Sequence, residues 1–342
     1  MPTFKNKNRS GPTICGNCVL PESFPGVVLN DRGICNFCLG LKKKNDLEKK
    51  KKNYRDKFEK LLSEHKEKSA YAALLSYSGG KDSTYTLSLL KEDYGLNVLA
   101  FSVDNGFVPD GTYRNVRTVC EKLGVDHLWL KPSFRMLARI FREGAEKNIY
   151  SPAALMRAST ICTSCLTIVR FSALRLALEK RIPFLVFGWS PGQLPLSASV
   201  LKNNPEIIKA MQAAGLGPLR AVAGDALLPY YIEEELLLEA GRRPFYSISP
   251  LAFLDYDEKK IRQRISGLGW EEPAGLDANS TNCLLNSFAN VIHENSYGYN
   301  PYAFELAALV REGYLRRSEA LRKLRQPPDP KTLRWVKKKL GL

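Results

Sequence analysis

Seven of the eight cysteines in this 342-residue chain stand where they could bind metal or do thiol chemistry. Cys15, Cys18, Cys35 and Cys38 form two C-x2-C knuckles with sixteen residues between them, the spacing of a tetrahedral four-thiolate zinc site. Between the knuckles, GVVLNDRGIC reads as an apolar run, a polar turn and a return. Four protein ligands leave Zn2+ no open position, so the site reads as structural, with redox or iron–sulfur chemistry as the alternative. Cys162 and Cys165 make a further C-x2-C at the start of an apparent helix, and Cys283 follows in the polar turn STNC. Three cysteines from two segments can hold three irons of a [4Fe-4S] cluster and leave the fourth open. The same residues admit other readings. Cys162 and Cys165 fit a second structural zinc or a buried pair, Cys283 fits a small core residue, and the set fits persulfide chemistry at the thiols themselves. Cys120, inside TYRNVRTVCEKLG, reads as packing.

A second constellation is Ser78-Gly79-Gly80-Lys81-Asp82-Ser83. It follows an apolar segment, YAALLSY, and precedes a helical pattern, so backbone N–H groups and the positive end of a helix dipole converge on one point suited to phosphate. Gly79 and Gly80 permit the tight turn. Lys81 can neutralise phosphate charge, and Ser78 and Ser83 can donate hydrogen bonds. Asp82 beside a phosphate calls for an intervening cation, which implies Mg2+ at Asp82. The spacing is not that of the G-x4-G-K-[ST] loop.

These residues need a scaffold. The segments 71–77, 97–103, 127–132 and 183–188 are apolar and strand-like with helical stretches between them, which predicts a parallel α/β sheet. Ligands of such sheets sit at the carboxyl ends of the strands, where Asp104, Asn105 and Gly188 stand. A late strand and loop is read over 245–253, and the stretch 191–240 reads as helices covering the active site. The domain reading is a zinc ribbon over 1–41, a basic helical linker over 42–70, an α/β domain over 71–255 and a helical carboxyl-terminal region over 256–342. His65, His127 and His293 suggest no catalytic triad with Ser and Asp.

SGGKDS in this setting resembles the PP-loop of the N-type ATP pyrophosphatases, which cleave ATP between the α and β phosphates. The resemblance implies ATP and Mg2+ at Ser78 to Ser83, with Asp104, Asn105 and Gly188 near the nucleoside and Lys81 and Asp82 in the chemistry. Adding Cys162, Cys165 and Cys283 makes the chain similar to the iron–sulfur tRNA thiolation enzymes of that superfamily, which combine a zinc ribbon, the PP-loop and three cluster cysteines. The order of the knuckles, SGGKDS, LNVLAFSVDNGF and the tail GYNPYAFELAALVREGYLRRSEAL also resembles the N-acetyl sugar amidotransferases, from about Cys15 to Leu321. Those enzymes carry a basic and aromatic stretch without cysteine where this chain has STNCLLN.

The expected activity is therefore an ATP-dependent sulfurtransferase, forming AMP and pyrophosphate, that adenylates a substrate oxygen and replaces it with sulfur through a [4Fe-4S] cluster on Cys162, Cys165 and Cys283. The alternative is an amidotransferase using ammonia from a glutaminase partner. Implied partners are tRNA or a small acetamido sugar and a sulfur donor or glutaminase; a homodimer is left open.

Charge distribution bears on the substrate. The chain has 51 Lys and Arg against 35 Asp and Glu, a net charge of +16. Residues 1–70 and 311–342 each contribute +8, and the middle is neutral. Basic ends can hold a phosphate backbone or simply form solvated helix faces. The lysine-rich stretch 41–70 has apolar residues at 41, 47, 54, 58, 61 and 62, the stripe of a connector helix. Arg135, Arg139 and Arg142 share a helical spacing with the same two readings. No run of about 18 uncharged apolar residues occurs and the amino terminus lacks an apolar leader, so a cytoplasmic protein away from membranes is expected.

Overall fold

In the computed structural model, residues 13–41, 44–65 and 69–342 are described. The first twelve residues of the ribbon reading, and 42–43 and 66–68 of the linker reading, lie outside them. The architecture is mixed α/β, with six strands in one sheet and thirteen α-helices among the described residues.

The strands are β1 (Ala73–Ser76), β2 (Val98–Val103), β3 (Asp126–Leu130), β4 (Phe184–Phe187), β5 (Val200–Lys202) and β6 (Tyr246–Ile248), in the order β3-β2-β1-β4-β6-β5. All neighbours are parallel except β5, which runs antiparallel to β6. The short edge strand β5 falls where the sequence reads helix, because its three residues pair with β6 instead of forming a turn of helix. Strand residues alternate between two cores with the period of two that a pleated sheet imposes. Leu74, Leu99, Phe101, Leu185 and Phe187 enter one core, and Ala73, Leu75, Val98, Ala100, Phe184 and Val186 the other. Both faces are covered, which is why β1, β2 and β4 read as continuous apolar runs.

The first core is closed by α5 (Phe134–Glu146), α6 (Thr160–Glu179), α7 (Pro205–Ala223), α8 (Glu234–Arg242), α10 (Leu285–Tyr297) and α13 (Pro330–Leu340). The second is closed by α2 (Lys44–His65), α3 (Lys81–Ser88), α4 (Asp110–Leu123) and α9 (Glu258–Gly267). Phe58, Leu61 and Leu62 of the connector stripe are buried there, while Leu41 stays exposed. Helix starts follow local chemistry. Ser159 caps α6 by accepting from the Cys162 amide at 3.1 Å, and Asn204 and Asp329 cap α7 and α13 just before a proline at the first helical position. Helix α6 is long and apolar enough to cross a membrane, and half of it is buried within the fold.

A third core joins the amino-terminal knuckles, with α1 (Asn36–Leu39), to α11 (Ala303–Arg311) and α12 (Arg317–Arg325). Phe24 stacks on Phe304 and meets Tyr299 edge-on. Arg317 donates to the carbonyls of Cys15 and Cys18 at 2.8–3.3 Å, tying the first knuckle to α12.

Candidate active site and thiol clusters

The loop from β1 to α3 carries SGGKDS. Gly79 has φ +73°, and a Cβ there would lie 2.7 Å from Val116, so both its backbone angle and its space require glycine. At the end of β4, a Cβ on Gly188 would come within 2.5 Å of Ser83 Cα, so the β4 end abuts the first turn of α3 only because Gly188 lacks a side chain. Ser78 Oγ and Ser83 Oγ lie 3.0 Å apart, and Ser83 Oγ donates to the Gly80 carbonyl.

A cavity of about 370 Å³ opens at the carboxyl ends of β1, β2 and β4. It is lined by Ser78, Gly80, Asp82, Ser83, Asn105 and Gly188, together with all three of Cys162, Cys165 and Cys283. Gly79, Lys81 and Asp104 are not among the lining residues, though Lys81 is bound to one that is. The Gly79 carbonyl is taken by Trp270 Nε1 at 3.0 Å, and Lys81 Nζ donates to Asp82 Oδ1 at 2.6 Å and to the Tyr256 hydroxyl at 2.8 Å. Asp104, buried at the end of β2, is engaged by its own neighbours. Burial opposes its charge, but the Gly106 amide, Tyr113 and the Lys131 ammonium at 3.3 Å hold its carboxyl below the usual range.

Asn105 binds the thiols together. Its Nδ2 lies 3.4 Å from Cys165 Sγ and 3.4 Å from Cys283 Sγ, while Asn286 Nδ2 lies 3.7 Å from Cys162 Sγ. Burial pushes the Cys162 thiol up to about 11 and the Cys165 thiol up to about 12, and raises that of Cys283. Without a metal these thiols are protonated, which disfavours free-thiolate chemistry, and a metal bound there would have to displace their protons. Their spacing is wider than a single ion needs. Among the described residues, one group of three or more His, Cys, Asp or Glu donors has its atoms all within 4.8 Å of one another, and it is Cys15, Cys18, Cys35 and Cys38.

In that group Cys18 and Cys35 sulfurs are 3.7 Å apart and Cys15 and Cys38 sulfurs 3.9 Å. Zn–S bonds of about 2.3 Å at tetrahedral angles require sulfurs about 3.8 Å apart, so the donor set fits zinc. Burial works against a charge on Cys15, yet the amides of Cys18, Cys35 and Asn17 hold its thiol down to about 6. Buried Cys120 lies apart, in the second core.

Several lining residues were not legible in the sequence. Arg157 lies over the Phe304 ring, and Arg170 over Phe187 and Trp189; neither has a carboxylate partner within salt-bridge distance among the described residues. Thr281 Oγ1 accepts from the Lys81 amide at 2.9 Å, occupying a helix-start donor of the kind phosphate takes. Glu305 accepts from Ser190 Oγ, and burial pushes its carboxyl up to about 7. These side chains come from segments far from SGGKDS, so only folding brings them together. Of the stretch 191–240, Gln193 alone is among the lining residues; the site is walled instead by 279–290 and 301–305, because α7 and α8 pack in the first core.

No family model matches the chain. An uncharacterized protein of Methanocaldococcus jannaschii is 26% identical over 330 residues, spanning 96% of this chain and 99% of that one. Among solved structures, the U34-tRNA thiolase NcsA from Methanococcus maripaludis with its [4Fe-4S] cluster is similar at TM-score 0.35 and 16% identity, over 88% of this chain and 86% of that one. A predicted subunit of tRNA methyltransferase from Methanocaldococcus jannaschii is similar at TM-score 0.32 and 17% identity, over 68% and 90%.

Proposed function

We propose that the chain is an ATP-dependent sulfurtransferase of the PP-loop type, which adenylates a substrate oxygen, releases pyrophosphate and replaces that oxygen with sulfur. The observation that carries this reading is the position of Asn105. It lines the same cavity as Ser78, Gly80, Asp82 and Ser83 and reaches both Cys165 and Cys283. In this reading a nucleotide site and a three-thiol site share one space.

In this reading Ser78, Ser83 and the α3 start hold the phosphates of ATP, and Asp82 holds Mg2+. Arg157 and Arg170, both drawn down by burial, offer unpaired positive charge to the anions that enter. Cys162, Cys165 and Cys283 would hold a [4Fe-4S] cluster, which supplies an iron free of protein ligand on which sulfide can be carried. Asn105 and Asn286 orient the sulfurs, as hydrogen-bonding neighbours of metal ligands do. Cys15, Cys18, Cys35 and Cys38 would hold Zn2+ and fasten the ribbon to α11 and α12. In this reading the chain divides into a ribbon over 1–41, a linker over 42–70, an ATP domain over 71–255 and a helical region over 256–342 whose α9, α10 and α13 complete the two cores of that domain. Eight free cysteines suit the reducing cytoplasm.

Metal and acid-labile sulfide content on protein purified without oxygen tests the reading. About four irons and four sulfides beside one zinc per chain are expected. Cys283→Ala should lose the iron and keep the zinc. Zinc alone after anaerobic reconstitution would overturn sulfur transfer and leave ammonia transfer, with its glutaminase partner.

A further inference from the structure

We propose that α5 and α13 together form a docking surface for folded RNA, which delivers the substrate to the mouth of the cavity. The placement at that mouth rests on the reading above; the binding surface itself does not.

The two basic ends of the chain differ once folded. On α2 four cations are answered by carboxylates: Lys51 pairs with Glu312 at 2.9 Å, Lys52 with Asp56 at 2.8 Å, Arg55 with Asp255 at 3.7 Å and Lys60 with Glu64 at 3.9 Å. On α12, Arg317 is spent on the ribbon carbonyls and Lys323 pairs with Glu258. Helix α13 contains no acidic residue, and its Arg334, Lys337 and Lys338 are exposed. Helix α13 packs against α5, whose Arg142 donates to the Leu340 carbonyl at 3.0 Å and whose Arg135 and Arg139 are also exposed. None of these six cations forms an ion pair among the described residues. Glu143, on the same helix, is taken by Lys147 at 2.8 Å. Against these six cations α5 exposes one carboxylate without an ion pair, Glu146, so the face is strongly positive and fits a phosphate backbone.

An aromatic element accompanies the charge. Trp335 is 42% exposed beside those cations, braced edge-on by Phe107 at 5.7 Å and covered by the Lys339 ammonium at 4.7 Å. A held, half-open indole next to unpaired guanidiniums suits stacking on an RNA base. A base offers the indole a planar face to stack on, which favours RNA over an acidic protein surface as the occupant. Lys339 also donates to the Gly106 carbonyl, next to Asn105, so α13 is anchored to the loop that reaches the thiols. Trp129, a lining residue 38% exposed, stands on β3 across that loop.

The test is equilibrium binding of the full chain to fluorescently labelled, unfractionated tRNA, used as a stock of folded RNA, at 50 and 200 mM KCl. Six phosphate contacts would lower affinity by about a thousandfold between the two salt concentrations. Arg139→Glu with Lys338→Glu should weaken binding at low salt by at least about tenfold and reduce the salt slope by about two. Trp335→Ala should weaken it by about fivefold to a hundredfold. Arg139→Gln with Lys338→Gln repeats the test with smaller perturbation should the reversal misfold. Lys52→Glu with Lys60→Glu on α2 should change little. Unchanged affinity in the α5/α13 variants, or an equal loss in the α2 variant, would overturn the proposal. So would equal binding of duplex DNA with Trp335→Ala silent, which would mark a nonspecific cation surface. Iron and sulfide measured on the same preparations separate the two ideas: binding without a cluster refutes thiolation, and a cluster without binding refutes the surface.

Discussion

Cys165 on α6 and Cys283 before α10 share one hydrogen-bond donor, the Asn105 amide, which lies 3.4 Å from each sulfur. Asn105 is itself fixed, since its Oδ1 accepts from the Phe107 amide at 2.9 Å. One side chain at the end of β2 therefore sets the positions of two thiols from distant segments. Asn105→Leu keeps the volume and removes the donor. Iron affinity should fall about 10–100-fold, as it does when a hydrogen-bonding neighbour of a metal ligand is lost, with zinc content unchanged. Iron titration into the apoprotein checks this, and wild-type affinity in the variant would remove Asn105 from the site.

The ribbon makes a separate prediction. Arg317 donates three hydrogen bonds to the Cys15 and Cys18 carbonyls, and Arg311 Nη1 lies 3.8 Å from Cys18 Sγ. Arg317→Ala should therefore destabilise the fold by about 2–4 kcal/mol with zinc content the same as in the wild type. Cys38→Ser should release zinc outright and make stability insensitive to chelator. Urea unfolding with and without chelator, read beside zinc content, distinguishes undocking from metal loss.

How much of this was legible in the sequence depends on the range of each signal. The knuckles, the phosphate-type loop and the strand ends are local patterns, and each lies where its spacing implies. That Cys162, Cys165 and Cys283 line one cavity followed only from reading them as a ligand set. Thr281, Glu305 and the two arginines gave no signal, because a lone Thr or Glu carries chemistry only through neighbours that the fold supplies. The orientation of Asp104 was equally hidden. The sequence shows a carboxylate at a strand end, whereas its pairing with Lys131 and Tyr113 is tertiary. The stretch 191–240 misled for a different reason: its apolar, Ala-rich helices are core material, and their position along the chain says nothing about which core they enter.

Gly188 tests the contact between the β4 end and the phosphate-type loop. A Cβ there would sit 2.5 Å from Ser83 Cα and 2.8 Å from Ser83 N, both backbone atoms that cannot rotate aside. Gly188→Ala should cost about 1–3 kcal/mol as the loop shifts. Because the displaced atoms belong to the proposed phosphate cradle, ATP affinity should fall by at least about tenfold, more than the lost stability alone would explain in a protein that still folds. Calorimetric titration with Mg-ATP beside urea unfolding checks both. Unchanged ATP affinity in a folded variant would place the nucleotide elsewhere.

Glu305 supplies the pH dependence. It and Asp82 are the two carboxylates among the lining residues. Burial raises the Glu305 carboxyl to about 7, with the Asp82 charge adding to the effect and the Ser190 and Gln193 hydrogen bonds opposing it. An unfolded Glu titrates near 4.3, so the folded state holds this proton more tightly than the unfolded state. Its contribution to stability is therefore complete below about pH 4 and is lost as pH rises through 7, a change on the order of 3 kcal/mol. His127 and His293, held down to about 4 by burial, act in the opposite sense and lose stability as pH falls from 6.5 towards 4. Glu305→Gln keeps an acceptor for Ser190, fixes the uncharged form and leaves both histidines in place. The difference in unfolding free energy between variant and wild type should be near zero at pH 4.5 and grow to about 3 kcal/mol in favour of the variant at pH 8. Urea unfolding across that range reads the difference directly, and one that stays flat with pH would show that Glu305 is ionised in the folded protein throughout.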